Sequence, residues 1–177
     1  MKVTSALLNS LHLNKVYYLL TGRDLQMIRE LFECLDIRQK RRIDDAQFMA
    51  FMKHSSDLNT KQIYSVFDMF DISNNGFLEL DEFYLLICML IAIKDKQEKE
   101  FLFRHSRTCF ELLDEDGGET ISRHEFMRFG FIFNFSKSTI KKIFNEYDIS
   151  GDHELDYEEF KIFCLAAVDK EREKRGE

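Results

Sequence analysis

Apolar residues recur along this 177-residue chain at helical spacing, in blocks interrupted by short polar stretches, and the blocks repeat one another. Aligned on Asp36, Asp71, Asp114 and Asp148, every block has a phenylalanine four places earlier: Phe32, Phe67, Phe110 and Phe144. A second phenylalanine follows each polar stretch of twelve residues: Phe48, Phe83, Phe126 and Phe160. The eighth place of each stretch holds a branched apolar residue: Ile43, Leu78, Ile121 or Leu155. The pattern predicts four helix–loop–helix units, with an inward aromatic on each entering and each exiting helix. The eighth residue predicts a short strand that pairs with a neighbouring loop, so that the units come in twos. The longest interval, from Asp71 to Asp114, separates a front pair from a back pair.

The fold expected is therefore all-α and two-lobed. An N-terminal helix lies within 1–20, the front pair in 21–93, a charged linker or helix extension in 94–100, the back pair in 101–168, and a charged tail, expected to fray, in 169–177. Leu7, Leu8, Leu11, Val16, Tyr17, Leu19 and Leu20 predict one amphipathic helix over 6–20 that packs on the front lobe or grips a partner. Thr21 to Asp24 forms a capping-box pattern; Thr60 is expected to cap the second entering helix, and Ser136 or Ser138 the fourth.

The polar stretches carry the chemistry. In the second, oxygen-bearing side chains stand at positions 1, 3 and 5 (Asp71, Ser73, Asn75), a glycine at 6 (Gly76), and a carboxylate at 12 (Glu82). A hard cation such as calcium takes about six to eight oxygens in flexible geometry, so alternate side chains, the Phe77 carbonyl and a water near Glu79 suffice. Gly76 suits a reversal at positive φ, where a Cβ costs about 1 kcal/mol or more. The fourth stretch offers Asp148, Ser150, Asp152, the Glu154 carbonyl and Glu159, with Asp156 at position 9 and His153 in place of the glycine. The third has Asp114, Asp116 and Glu125, but Gly118 at position 5 brings no side-chain oxygen and Glu119 occupies position 6, so metal binding there stays open beside a purely structural loop. The first carries Arg38, Lys40 and Arg41 where ligands and glycine belong, and Gln47 at position 12; no calcium is expected.

Composition narrows the reading. A net charge of −7 and a pI near 5.3 argue against nucleic acid as a partner. The longest apolar run, 84–93, is too short to span a bilayer, so no membrane insertion is expected. The N-terminus has no sustained apolar core of a secretion signal. Cys34, Cys88, Cys109 and Cys164 form no Cys-x-x-Cys pair and each falls in an apolar helical pattern, which points to buried reduced thiols and an intracellular location. His-Glu-x-x-His, a phosphate loop and a Cys/His dyad are all missing, so no enzyme is expected. The runs 83–93 and 126–133 are apolar all round, and with Met52, Met69, Met89 and Met127 they suggest a hydrophobic groove for a partner's helix.

These loops and their pairing resemble the EF-hand superfamily, and the four-unit layout is similar to calmodulin and its light-chain relatives over nearly the whole chain. The resemblance implies Ca2+ as the bound ion. A closer likeness is carried by Lys15-Val16-Tyr17-Tyr18-Leu19-Leu20, by Val66-Phe67-Asp68-Met69-Phe70-Asp71, and by Phe103-Arg104-His105-Ser106-Arg107 leading into Phe110-Glu111-Leu112-Leu113-Asp114. Those strings resemble small cytoplasmic EF-hand subunits of the sperm flagellar calcium channel. That likeness implies a calcium sensor on the intracellular side of a channel in a flagellum or cilium, bound to a small partner subunit and to cytoplasmic channel segments. The cationic first loop and the missing glycines depart from calmodulin and count against a four-calcium switch. The other reading is a constitutive structural adaptor, axonemal or of another complex, with little calcium response.

Overall fold

The computed structural model describes residues 1–132 and 135–175, the side chains of Phe129 and 168–175 excepted. The chain forms two compact units, 1–97 and 98–177. The first holds α1 (Ala6–Ser10), α2 (Gly22–Leu35), α3 (Asp45–Ser55), α4 (Thr60–Phe70) and α5 (Leu80–Lys94). The second holds α6 (Glu98–Arg104), α7 (Ser106–Leu113), β1 (Thr120–Ser122), α8 (Arg123–Gly130), α9 (Lys137–Tyr147), β2 (Glu154–Asp156) and α10 (Tyr157–Arg175).

Each unit is a pair of helix–loop–helix hands joined at the eighth loop position. Ile43 and Leu78 exchange two backbone hydrogen bonds of 2.9 Å in the first unit. In the second, β1 and β2 pair antiparallel with Ile121 opposite Leu155. All eight recurring phenylalanines are buried, and they meet across hands. The entering ring of one hand touches the exiting ring of the other: Phe32 with Phe83 (5.6 Å between centroids), Phe67 with Phe48 (5.4 Å), Phe110 with Phe160 (5.7 Å) and Phe144 with Phe126 (5.8 Å). Tilted and edge-on pairs of this kind are worth about 0.5–1.5 kcal/mol beyond the area they bury. A lone hand would leave these rings in water, so the pair is the folding unit.

Several sequence expectations are corrected. The single helix over 6–20 does not form: α1 stops at Ser10, because Asn14 turns the chain instead. Its Oδ1 accepts the N–H groups of Val16 (2.8 Å) and Tyr17 (3.3 Å), an alternative that asparagine offers the backbone in place of a helical ladder. Val16 and Tyr17 are exposed in consequence, while Leu8, Leu11, Leu13, Tyr18 and Leu20 are buried. Asn59, not Thr60, caps α4, in a reciprocal box with Gln62. Ser136 caps α9 and Thr21 caps α2 as expected. The 94–100 stretch is mostly helical; α5 ends at Lys94 and α6 begins at Glu98. Between them Lys96 takes φ +56°, and bonds from Lys96 N–H to Ile93 and from Gln97 N–H to Ala92 close the helix end. α8 stops at Gly130 rather than 133; Phe133 lies outside the described residues. A Cβ on Gly130 would stand 2.8 Å from Ile140 Cδ1, so any other residue there would make that side-chain tip move. The backbone of the tail is helical to Arg175 and Gly176 and Glu177 lie outside the described residues. Cys34 is exposed, against expectation, while Cys88, Cys109 and Cys164 are buried and free.

The apolar α5 is covered within its own unit, by α2, by α4 and by the N-terminal segment. Lys94 Nζ donates to the Leu11 carbonyl (2.8 Å), His12 Nδ1 lies 2.8 Å from Asp95 Oδ2, and Leu20 N–H donates to the Tyr84 hydroxyl (3.2 Å). Residues 2–4 continue onto the α3–α4 connection, where Thr4 N–H meets the Ser55 carbonyl at 2.8 Å. Met52 and Met89 are core residues, whereas Met127 is exposed. Among the described residues no helix is long and apolar enough to cross a membrane.

Two outcomes follow. Phe83→Ala should lower the urea stability of the first unit by about 3–5 kcal/mol, since a fully buried ring shared by Phe32 and Phe51 is lost. Native protein should react with a thiol reagent at Cys34 alone. The others need unfolding, because burial pushes Cys88 up to about 11 and Cys109 up to about 12, leaving almost no thiolate.

Candidate metal centre

Four loops share one backbone frame. Positions 4 and 6 take positive φ in every loop: Gln39 and Arg41, Asn74 and Gly76, Gly117 and Glu119, Gly151 and His153. The turn is held by the position-1 aspartate, whose carboxylate accepts backbone N–H groups from the far side. Asp36 takes those of Lys40 (3.0 Å) and Arg41 (2.6 Å); Asp71 those of Asn75 (3.0 Å) and Gly76 (2.7 Å). Asp114 takes those of Gly118 (2.9 Å) and Glu119 (3.0 Å); Asp148 those of Gly151 (2.7 Å) and His153 (3.1 Å). Charged acceptors make such bonds about twice as strong as neutral ones, enough to hold non-glycine residues in left-handed backbone. In the third loop the glycine stands at position 4 and Glu119 bears the strain at 6 (φ +60°).

Position 12 closes the loop from the other end. Glu82 Oε1 accepts from Ser73 N–H (2.9 Å) and Oε2 from Glu79 N–H (2.8 Å). Glu125 Oε1 accepts from Glu115 N–H (2.9 Å) and Oε2 from Ser122 N–H (2.7 Å). Glu159 accepts from Ile149, Ser150 and Asp156 N–H groups. Positions 9 and 12 also form the capping box of the exiting helix: Asp44 with Gln47, Ser122 with Glu125, Asp156 with Glu159. The capping role of position 12 is legible only with hindsight, as an S/D-x-x-E/Q string inside the first, third and fourth loops. It explains why Gln47 suffices in the first loop.

The loops differ in what they offer a cation. The first does not fit a cation: Arg38 and Lys40 stand at positions 3 and 5, position 12 is the neutral Gln47, and Arg38 pairs with Asp44 at 3.3 Å. In the second, the Ser73 hydroxyl lies 3.4 Å from Asp71 Oδ1, and Asn75 Oδ1 accepts the Phe77 N–H (2.9 Å). In the fourth, Ser150 Oγ lies 3.4 Å from Asp148 Oδ1 and Asp152 Oδ1 accepts the Glu154 N–H (3.0 Å). The third, left open by its sequence, brings ligand oxygens of Asp114, Asp116 and Glu125 within 4.8 Å of one another, the one such trio among the described residues. Burial works against the Glu125 charge, yet hydrogen bonds from the Ser122 side chain and from the Ser122, Glu115 and Asp116 backbone outweigh it and lower its pKa. Glu82, Glu125 and Glu159 are all buried, and each accepts backbone N–H groups at both carboxylate oxygens. Oxygen-only donors with a buried carboxylate at position 12 fit calcium.

Neighbouring loops also touch at position 7, which the sequence did not foretell. Thr120 donates its hydroxyl to Glu154 Oε2 in the second unit, and in the first the Arg42 guanidinium sits 3.7 Å over the Phe77 ring.

Paired hands with such loops define a calcium-binding helix–loop–helix protein. The family profile described as an EF-hand domain pair matches residues 25–88 and 103–165, and the chain belongs to that family. It is 25% identical over 142 residues to an uncharacterized calcium-binding protein of Caenorhabditis elegans, covering 79% of this chain and 60% of the relative. It is 25% identical over 146 residues to calcium-binding protein CML19 of Arabidopsis thaliana, covering 81% and 84%. Against calcium-dependent protein kinase 10 of Arabidopsis thaliana it is 26% identical over 154 residues, covering 85% of this chain but 27% of the kinase. The chain thus spans well under two thirds of some of its relatives. Ca2+ is the ion of this fold, and the chain is a calcium-binding protein built from two EF-hand pairs.

The frame predicts the effect of relieving its strain. Glu119→Gly should raise the stability of the metal-free second unit by about 1 kcal/mol in urea denaturation with chelator present, because φ +60° no longer opposes a Cβ.

Proposed function

We propose that the chain is a calcium sensor that holds Ca2+ in its second, third and fourth loops and regulates a larger complex by binding partner helices. The ligands are Asp71, Ser73, Asn75, the Phe77 carbonyl and Glu82 in the second loop. Asp148, Ser150, Asp152, the Glu154 carbonyl and Glu159 serve in the fourth, and Asp114, Asp116 and Glu125 in the third. One observation carries this: wherever positions 1, 3 and 5 lack cationic side chains, position 12 is a buried carboxylate, and where they carry Arg38 and Lys40 it is the neutral Gln47. A buried carboxylate already oriented by backbone N–H groups is a ready partner for a positive charge, which calcium supplies when bound.

The partner surface fits the second unit best, where Met127, Ile162 and Leu165 are exposed apolar residues; in the first, the N-terminal segment already lies on α5. A cytoplasmic flagellar or ciliary location, with a small channel subunit and channel segments as partners, is the finer form of this reading. Its support is the likeness of the strings at 15–20, 66–71 and 103–114 noted above. A constitutive adaptor is favoured by one feature alone, the first loop, whose turn is held by Asp36 with cationic side chains at positions 3 and 5.

Isothermal calorimetry separates the two. Wild-type protein should bind three calcium ions, and Glu82→Gln, Glu125→Gln and Glu159→Gln should each weaken one site by more than about a hundredfold. An adaptor gives no heat with wild-type protein. If only Glu125→Gln is silent, the third loop is structural.

A further inference from the structure

The segment ahead of the first hand does more than cover α5. Residues 2–4 run antiparallel to the α3–α4 connection, with Val3 opposite Ser56. Thr4 N–H donates to the Ser55 carbonyl (2.8 Å), Asp57 N–H to the Lys2 carbonyl (3.1 Å), Lys2 N–H to Asp57 Oδ1 (2.7 Å) and the Thr4 hydroxyl to the His54 carbonyl (3.0 Å). Further along, the same segment is tied to α5. The Lys94 ammonium, its side chain only 10% exposed, donates to the Leu11 carbonyl and meets Asp95, which also faces His12. Leu20 N–H reaches the Tyr84 hydroxyl. Between the two sets of ties lies α1, whose Leu8 is fully buried, so the connection is packed helix rather than slack loop.

These ties fall on opposite sides of a seam. Within the first unit α3 packs chiefly on α4 and α2 chiefly on α5, while the contacts of α2 with α3 and of α4 with α5 are slighter. Hand pairs that act as sensors answer calcium by changing the angle between entering and exiting helix, which here means α2 against α3 and α4 against α5. Such a change swings the α3–α4 layer off the α2–α5 layer. Residues 2–4 would have to follow the first layer while residues 8–20 stay on the second. Neither end parts without loss: one gives up main-chain hydrogen bonds, and the other leaves a shielded ammonium without its carbonyl.

We propose that residues 2–20 are a clasp across this seam that holds the first unit closed, so that the second loop takes calcium without uncovering α5. The calcium clause rests on the reading given under the proposed function; the clasp itself uses no loop residue and holds in chelator as well. The two units then answer calcium differently. In the second, α10 already leaves Ile162 and Leu165 exposed, and a calcium-dependent partner surface forms there alone. Where calcium favours the open pair, linkage requires that the clasp lowers the affinity of the second loop.

Cys88, fully buried on α5, reports the state of the seam. The full chain is alkylated with iodoacetamide in chelator and in calcium, and the rate at Cys88 is read by peptide mass spectrometry. In wild-type protein calcium should not speed it. Thr4→Pro with Asp57→Ala frees one end of the clasp and Lys94→Met the other; each should raise the Cys88 rate at least about tenfold in chelator, and calcium should raise it further. The direction with calcium separates opening of the seam from general loss of stability, because bound calcium slows global unfolding. Adding Val3→Cys with Ser56→Cys to the first variant, in a Cys34→Ser chain, should restore protection once oxidised. Three results overturn the proposal: calcium speeds wild-type labelling as much as that of the freed variants, freeing either end leaves the chelator rate unchanged, or calcium slows the freed variants. Calcium without effect on the freed variants also overturns it where calorimetry shows heat that Glu82→Gln removes. With no such heat the calcium reading of the second loop fails, and the clasp stands on its chelator arm.

Discussion

The position-1 aspartate is the interaction on which each unit rests. Its carboxylate reaches across a tight turn to backbone N–H groups, and it does so in all four loops whatever else they carry. A turn so held places position 8 where it can pair with its neighbour, and that pairing aligns two hands so that their phenylalanines meet. The frame is therefore independent of metal, and calcium chemistry is superimposed upon it.

That independence explains how four loops of unequal competence coexist. The first keeps the frame with arginine and lysine in the ligand slots, because Asp36 and the Asp44–Gln47 box use only backbone N–H and one amide. The third and fourth keep it with Glu119 and His153 in left-handed backbone, with Gly117 and Gly151 two residues earlier easing the other reversal. What distinguishes the loops is electrostatic. Three bury a carboxylate at position 12 and one buries none, and a divalent ion is the natural complement of the three.

The N-terminal segment gives the two units different surfaces. Ties from Leu11 to Lys94, from His12 to Asp95 and from Leu20 to Tyr84 hold it along the whole of α5. An exiting helix that is apolar all round is thus core within this chain. In the second unit α10 leaves Ile162 and Leu165 exposed.

The sequence by itself determined the repeat, the pairing at Ile43–Leu78 and Ile121–Leu155, the inward phenylalanines and the lack of ligand side chains at positions 3 and 5 of the first loop. Each of these depends on residue type at fixed local spacing, which periodicity exposes. It misjudged residues 6–20, where Asn14 offered a local hydrogen-bonded turn that competes with an otherwise helical pattern, and Cys34, whose apolar neighbours face inward while it does not. Only the tertiary structure decided that Asp114, Asp116 and Glu125 converge despite Gly118 and Glu119. Such features arise where backbone dihedrals and distant side chains meet, and a strain tolerated at one residue is visible only together with the carboxylate that holds it.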